Sequence, residues 1–408
     1  MQKLQVQFCG WGQSWPLGYI ASDGRQVVFE YSSEARAKGV ELSPIRMPLS
    51  VDSYRDFPRE QLQLPGLLAD ALPDGWGLLL MDRFFKKHFQ KPAHEISALD
   101  RLAFIGSRAL GALSFSPATD IALTPQDSKL VDLAKEIQLV VADKDTAALK
   151  QLILLGGSPH GARPKVLVQY DATSGIISTL EDGPGTPWLV KFPGQDEHKE
   201  VCAIEHAYSE TARDCGLDVP ATRHFVLGPK TAAFGIERFD RADAMKVPVH
   251  TLAGALNLNF RLPNTGYETL LRTTRALTLS EPEVLKAYER CVFNVVFNNR
   301  DDHTKNFSFR MDESLTWALA PCYDLTYCHG PAGHHQMDVD GESLHPAKMH
   351  LLKLAERNGI ALERARSAIE RIVSIALTFD HVLADYPMRK ATRAAIASTV
   401  AANCARMV

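Results

Sequence analysis

Asn298-Asn299-Arg300-Asp301-Asp302-His303-Thr304-Lys305-Asn306-Phe307-Ser308-Phe309 is the most informative run in the chain. An acid at 301, an amide at 306 and then a strand-like run is how phosphotransferases place a general base and a metal ligand on one rigid loop. The acid accepts or orients a hydroxyl proton, and the amide oxygen holds Mg²⁺ on the phosphates. Of the two neighbouring acids, only Asp301 stands five positions before Asn306, so Asp301 is the expected base. Asp302 is expected to add a second negative charge beside the metal site. Short acid-to-amide spacings are frequent, so the surrounding chain has to supply the other parts.

Immediately upstream, Ser280-Glu281-Pro282-Glu283 reads as a helix start. Ser is the N-cap, Pro lies in the first turn and Glu283 completes a capping box. The helix turns Val284, Leu285, Tyr288, Val292 and Val295 inward and delivers the chain to Asn298. Downstream, two strand-like runs, 307–311 and 315–320, are joined by Asp312-Glu313-Ser314 and followed by Pro321-Cys322-Tyr323-Asp324. The midpoint of 301 and 324 falls in that turn. A hairpin there brings Asp301 and Asp324 to one open end with Asn306 between them, the oxygen-donor arrangement of a Mg²⁺-nucleotide site. A chance hairpin flanked by turn-forming acids is the alternative.

Further from the motif the chain changes character twice. Residues 1–60 read as strands and turns, with Leu4, Val6 and Phe8 alternating and a hairpin-favouring Asp23-Gly24. Residues 64–89 turn helical, broken at Leu72-Pro73-Asp74-Gly75, where Asp74 is an expected N-cap for a helix carrying Trp76, Leu79, Leu80 and Phe84. Ile105 to Phe115 reads as a glycine-punctuated strand, and 116–128 as the boundary of this first part. A helix over 146–155 then runs into Gly156-Gly157-Ser158-Pro159-His160-Gly161-Ala162-Arg163-Pro164-Lys165. Small residues there let backbone N–H groups approach phosphates, with Lys165 adding a cation; taken alone, the residues favour a flexible helix-to-strand connection. It is no Walker loop, lacking Gly-Lys-Ser/Thr.

Trp188 to Phe192 is a strand carrying Lys191, and a helix over 200–215 places Glu205 on its inward face with Ile204 and Tyr208. A buried carboxylate wants a cation, and Lys191 is the nearest candidate, unless the two are unrelated. Strands over 221–227 and 232–239 end in Glu237-Arg238-Phe239-Asp240-Arg241, either an adenine-binding hinge or a solvated turn. The end of the chain is helical over 347–358, 362–384 and from 388, and the local histidines (329, 334, 335, 345 and 350) read as surface or loop residues.

With 408 residues, 45% hydrophobic and 23% charged, the chain has room for two or three parts with real cores. A net charge of -3 offers no basic face for non-specific nucleic-acid binding. The start alternates instead of forming a signal peptide, and no run is apolar enough for a membrane helix. Seven cysteines without Cys-x-x-Cys pairs suit reduced thiols, so the expected location is cytoplasmic.

These parts, in this order, resemble the HipA family of bacterial serine/threonine kinase toxins. Residues 64–83 with their Leu-Pro-Asp core and 105–115 are similar to its N-terminal region. Gly157 to Val168, Lys191-Phe192-Pro193, Glu237 to Arg241, Asp301 to Asn306 and Tyr323-Asp324 are similar to its kinase core. The resemblance implies an α+β, two-lobed eukaryotic-like protein kinase fold with a strand-rich N-terminal lobe and an all-α C-terminal lobe. It divides the chain into an N-terminal subdomain (1–125), a nucleotide-binding part (126–240) and a catalytic lobe (241–408). It makes Asp301 the base, Asn306 and Asp324 the Mg²⁺ ligands and Lys191 the phosphate lysine. For ATP it implies contacts from His160, Gly161, Ala162, Arg163, Pro164, Lys165, Glu205, Glu237, Arg238, Phe239, Asp240, His303 and Tyr323. Ser158 matches a loop serine that autophosphorylates and so switches the kinase off, its phosphate being drawn toward Arg163 or Lys165. The implied partners are a protein substrate such as an aminoacyl-tRNA synthetase and a small helix-turn-helix antitoxin, with DNA reached only through the antitoxin. Departures are the stiff loop with Pro159, His160 and Pro164, and Asp302 beside the base. A small-molecule phosphotransferase of the antibiotic-modifying type, or a non-catalytic partner in an antitoxin-DNA complex, are the competing functions.

Overall fold

Alternating burial builds the first sheet: Leu4, Val6 and Phe8 are buried along β1 (Gln2–Phe8), while the residues between them are not. The computed structural model describes residues 1–119, 127–144, 146, 148–156 and 159–408. Ser158, its neighbour Gly157 and residues 120–126, around the expected subdomain boundary, lie outside the described residues. The chain divides into two units, one of Met1–Lys199, Arg223–His250 and Gly254–Asn257, the other of Glu200–Thr222, Thr251–Ala253 and Leu258–Val408.

In the first unit β1 is joined by β2 (Trp15–Ser22), β3 (Val27–Tyr31) and β4 (Leu113–Ser116) in an antiparallel sheet of order β3-β2-β1-β4. The β2–β3 hairpin closes at Asp23-Gly24 because the Asp23 carboxylate accepts the N–H groups of Arg25 and Gln26, each at 2.9 Å. Helix α1 (Gly75–Phe89) buries Trp76, Leu80, Phe84 and Phe85. Leu79 turns outward at 38% exposure, one position off the expected apolar face.

The run 105–115 is not one strand. Ile105 ends helix α2 (Ala98–Ile105), whose start is locked by a reciprocal capping box between Ser97 and Asp100, and only Leu113–Ser116 is extended. Helix α3 (Leu149–Gly156) precedes the second sheet: β5 (Lys165–Tyr170), β6 (Ile177–Ser178), β7 (Thr186–Lys191), β8 (Thr222–Gly228) and β9 (Thr231–Glu237), in order β6-β5-β7-β9-β8.

The second unit is mostly helical. It contains α4 (Glu200–Asp214), α5 (Tyr267–Thr278), α6 (Glu281–Val296), α7 (Lys348–Arg357), α8 (Leu362–Ala376), α9 (Phe379–Ala384) and α10 (Lys390–Ala405). Its core is aromatic: Phe293 stacks on Phe297 at 4.5 Å, and Phe379 meets Tyr208 and Phe297 edge-on at 5.3 and 5.0 Å. Two short strands, β10 (Ser308–Met311) and β11 (Trp317–Leu319), form the expected hairpin.

Helix α6 starts where expected, with Pro282 in its first turn, but the capping box does not form. The Ser280 side chain makes no cap bond. Glu283 instead accepts the Leu319 N–H at 2.8 Å, so its carboxylate ties the helix to the hairpin. Among the described residues no helix is long and apolar enough to cross a membrane.

Candidate active site

The stretch that opens at Asn298 begins where α6 ends, in the second unit. Asn298 takes a left-handed φ of 55° and its amide donates to the Cys328 carbonyl at 2.9 Å, turning the chain out of the helix. Asn299 donates to the Asn294 side chain at 2.9 Å, fixing the start of the loop to the helix it has just left. Thr304–Asn306 is a single 3₁₀ turn whose entry is set by the His303 ring, which accepts the Lys305 N–H at 3.2 Å.

Within that turn the Asn306 amide nitrogen donates to the Asp301 carbonyl at 2.7 Å. With the nitrogen bound to the loop, the amide presents its oxygen, which is the end a hard cation prefers. The same bond links the expected metal ligand to the backbone of the expected base. The Asp301 side chain is 45% exposed; its Oδ1 accepts from Gln336 Nε2 at 3.1 Å and lies 3.9 Å from His303 Nε2.

Asp302 behaves in the opposite way. It was expected to add charge at the metal site, but it is fully buried. Its Oδ2 accepts from the Tyr267 hydroxyl at 2.7 Å and His335 Nδ1 at 2.8 Å, and its Oδ1 from the Gln336 N–H at 2.8 Å. Burial and the adjacent Asp302 carboxylate push the Tyr267 hydroxyl well above its ordinary pKa, keeping it a donor. His335, read from the sequence as a surface or loop residue, is therefore a buried partner of the loop, 2% exposed. Nothing in the spacing of 302 and 335 signals this, because the contact is made by tertiary folding alone.

The hairpin returns the chain to the loop. Phe309 pairs with Leu319 and Met311 with Trp317, which centres the hairpin on Ser314, slightly beyond the expected point. The Tyr323 hydroxyl then donates to the Lys305 carbonyl at 2.6 Å and shares a 2.5 Å bond with Ser308. Tyr323-Asp324 is thus anchored against residues 305–308. Asp324 itself has a left-handed φ of 54°, a conformation that non-glycine residues hold at a cost and that recurs at functional sites. A small cavity lined by Asn299, Asp302, Asn306, Phe307 and Tyr323 lies at this junction. An amide oxygen on Asn306 and a carboxylate on Asp324 are hard donors suited to Mg²⁺, which takes its remaining ligands from phosphate and water.

The expected phosphate-binding residues lie in the first unit. Lys165 and Lys191 are directly opposite each other on β5 and β7 and are 2% and 7% exposed. Opposed residues share a face, where two like charges repel unless an anion compensates them. The Lys165 ammonium donates to the His160 carbonyl, and the Lys191 ammonium lies 5.7 Å from the Phe234 ring centre. Arg163 pairs with Glu197 at 3.0 Å. Glu205, buried at 2%, is in the second unit, as are His303, Asn306, Tyr323 and Asp324.

The side chain of Asp74, the expected N-cap, makes no cap bond to its own helix. Its carboxylate accepts the N–H of Gly161 instead, while the Trp76 N–H donates to the Gly161 carbonyl at 3.2 Å and the Trp76 indole to the Lys165 carbonyl at 3.0 Å.

The charged run after β9 is not a solvated turn. Arg238 grips Asp240 with two bonds of 2.9 Å, Arg241 adds one of 2.8 Å, and the Gly111 N–H donates to the same carboxylate at 3.0 Å. Burial alone would raise the Asp240 pKa, but the two guanidinium groups hold it well below the usual carboxylate range. The Arg238 N–H is bound to Pro187 at 2.9 Å, and Glu237 pairs with Trp188. Phe239 is half-buried.

The family model of the HipA-like C-terminal domain matches residues 157–378, more than half of the chain, and that of the HipA N-terminal domain matches 11–116. The chain belongs to the HipA family. Two curated relatives bear provisional kinase names. One, from Haemophilus influenzae, is 29% identical over 151 residues, 33% of this chain and 43% of the relative. The other, Y4mE of Sinorhizobium fredii, is 28% identical over 273 residues, 57% of this chain and 58% of the relative. The chain thus spans about half the length of these curated relatives. Among solved structures, the HipA of the Shewanella oneidensis toxin-antitoxin system, in complex with HipB and its operator DNA, matches with a TM-score of 0.71. It is 18% identical, and the match covers 99% of this chain and 97% of that one. The likeness bears out the expected α+β, two-lobed, kinase-like HipA fold.

Proposed function

We propose that this HipA-family protein is an ATP- and Mg²⁺-dependent serine/threonine-protein kinase, the toxin of a toxin-antitoxin pair. The observation that carries this reading is the bond from the Asn306 amide to the Asp301 carbonyl, which sets amide oxygen and carboxylate on one turn. Asp301 then acts as base toward the acceptor hydroxyl, positioned but still exposed enough to meet it. Asn306 and Asp324 would hold Mg²⁺, which offsets phosphate charge when bound. Lys165, Lys191 and the backbone of residues 160–164 take the ATP phosphates, Glu205 steadies Lys191, and 237–240 provide the adenine hinge. His303 and Tyr323 complete the nucleotide contacts. Kinase names among the relatives support the activity, and the HipB-bound Shewanella structure supports an antitoxin as partner, in this reading a small helix-turn-helix protein. The substrate in this reading is a translation protein such as an aminoacyl-tRNA synthetase, with Ser158 as the autophosphorylated residue. DNA is reached only through the antitoxin, and the division at 125 and 240 is the domain plan that goes with it.

Transfer of labelled γ-phosphate by wild type and Asp301→Asn tests the reading. Losing the base should cost roughly 10²–10⁴-fold in rate. Equal incorporation by both proteins would refute the assignment. Asp324→Asn should lose transfer while keeping the circular dichroism and melting curve of wild type. Phosphoproteomics after expression of wild type beside Asp301→Asn would report the substrate and the state of Ser158 together.

A further inference from the structure

We infer that Asp74, far from the kinase motifs in sequence, is a positioning residue that sets the conformation of the nucleotide loop. The inference rests on the reading of residues 160–165 as that loop. Asp74 has the residue type and place of a helix N-cap, and its backbone is extended as an N-cap should be, yet its side chain caps nothing in α1. Its carboxylate is spent on Gly161 N–H, 87 residues away in the chain. It is 8% exposed, so this bond is made out of water, where a carboxylate's hydrogen bond is strong.

Three further observations show that the grip is built. Gly161 is held at both ends, since the Trp76 N–H, in the first turn of α1, donates to its carbonyl at 3.2 Å. The Trp76 indole holds the far end of the loop through the Lys165 carbonyl at 3.0 Å. Gly75, at a φ of +39°, lies so close that a Cβ on it would stand 2.7 Å from the Ala162 Cα. Helix start and loop backbone are therefore in direct contact over Gly161 and Ala162.

The consequence is specific. A glycine-containing loop with φ of +99° at Gly161 has many conformations of its own. Clamping both the N–H and the carbonyl of that residue selects one of them before any nucleotide arrives. Asp74 thereby reduces the ordering cost of phosphate binding without touching the reacting atoms, which is preorganisation. Losing it should weaken ATP binding and leave turnover at saturating ATP nearly unchanged.

The test compares full-length wild type, Asp74→Ala and Asp74→Asn by calorimetric titration with ATP and Mg²⁺, by KM for ATP and kcat, and by amide exchange of residues 159–165 without nucleotide. Asp74→Ala should weaken ATP binding and raise KM by roughly tenfold, the scale of one charge-assisted hydrogen bond, with kcat within about twofold. Its loop amides should exchange faster than those of wild type. Asp74→Asn keeps an oxygen acceptor at the same place and should restore most of the affinity and the protection. If Asp74→Ala does not fold, Asp74→Glu takes its place; its longer reach should displace the loop and weaken ATP similarly. Unchanged affinity in the Ala variant, or Asn performing no better than Ala, overturns the proposal. Tighter ATP binding by Asp74→Ala also overturns it, marking Asp74 as a competitor of the phosphates. A wild type that binds no ATP instead brings down the nucleotide reading itself, and this proposal with it.

Discussion

The loop proposed to carry the base and the loop proposed to take the nucleotide are both short, irregular and tied by a carboxylate, but the carboxylates come from opposite directions. Asp302 belongs to the catalytic loop and points inward, gathering Tyr267, His335 and Gln336 around itself. Asp74 belongs to a helix start and reaches out to hold a loop that is remote in sequence. A loop anchored from within depends on the core of its own unit and should fail only when that core is damaged. A loop held from outside can be released while everything else stays folded. The first arrangement suits a base and metal ligand whose spacing has to be fixed; the second suits a phosphate loop that has to admit and release a nucleotide.

The largest effect should come from breaking the internal anchor. Asp302→Ala leaves the Tyr267 hydroxyl, the His335 imidazole and the Gln336 N–H buried without their acceptor. At about 1–3 kcal/mol for each stranded group, partly relieved by relaxation, a loss of about 4 kcal/mol is expected in urea unfolding. Asp302→Asn keeps an acceptor for Gln336 and should lose about half as much. A loss under about 1 kcal/mol for the Ala variant would show that the loop is held by something else.

The buried Asp240 cluster provides a third carboxylate anchor to set beside these. Breaking one partner of a buried ion group costs about 3 kcal/mol or more, so Asp240→Asn should be nearly as damaging. Its pH dependence identifies it. The folded-state pKa of Asp240 is depressed by Arg238 and Arg241, so its contribution is present above the unfolded value near 3.8 and is lost as pH falls toward the folded one. The stability gap between wild type and Asp240→Asn should therefore be constant from about pH 7 to 5 and narrow below about pH 4. A gap that stays constant down to pH 2.5 or so would remove the ionised carboxylate from the account.

These contrasts also show what a sequence can carry. The turn that joins Asp301 to Asn306 and the returning hairpin were legible because their geometry is local: the spacing of 301 and 306 and a turn between two alternating runs determine it. The Asp23-Gly24 hairpin and the buried alternation of Leu4, Val6 and Phe8 were legible for the same reason. What failed was the destination of acidic side chains. Asp74 and Glu283 both sit where caps belong, and both reach other segments instead. Asp302 read as a charge at the metal site and is a core residue, and the solvated turn that was one reading of Asp240 is a buried ion centre. A cap motif records only that a carboxylate lies near local N–H groups; tertiary packing decides whether a better donor arrives. Helix α2 was missed although Ser97 and Asp100 have capping-box spacing, because the glycines that follow draw the eye toward a strand.

A smaller effect should follow from crowding the outside grip. Gly75→Ala places a Cβ against the Ala162 backbone at an unfavourable positive φ. Strain and clash together should cost about 2 kcal/mol if the loop holds its place. If the loop is as releasable as the comparison implies, it will move aside, and the thermal midpoint will fall less than the affinity for ATP. A full stability loss with unchanged ATP affinity would mean that both loops are equally rigid, and the contrast drawn between them would be wrong.

The smallest change separates holding the loop from holding the base. Gln336 does both, its backbone N–H bonding Asp302 and its side-chain amide bonding Asp301. Gln336→Leu keeps the first bond and deletes the second, so unfolding should move by no more than about 0.5 kcal/mol. The carboxylate of Asp301, no longer held at Oδ1, gains rotational freedom, and the population aligned for the acceptor hydroxyl shrinks. Misplacement of this kind should lower kcat by about tenfold, some 1.4 kcal/mol, without changing KM for ATP. That is the mirror image of the pattern expected for Asp74→Ala, where KM moves and kcat does not. If Gln336→Leu changed KM for ATP instead, the Asp301 carboxylate would be contributing to nucleotide binding, and the division of labour between the two loops would have to be redrawn.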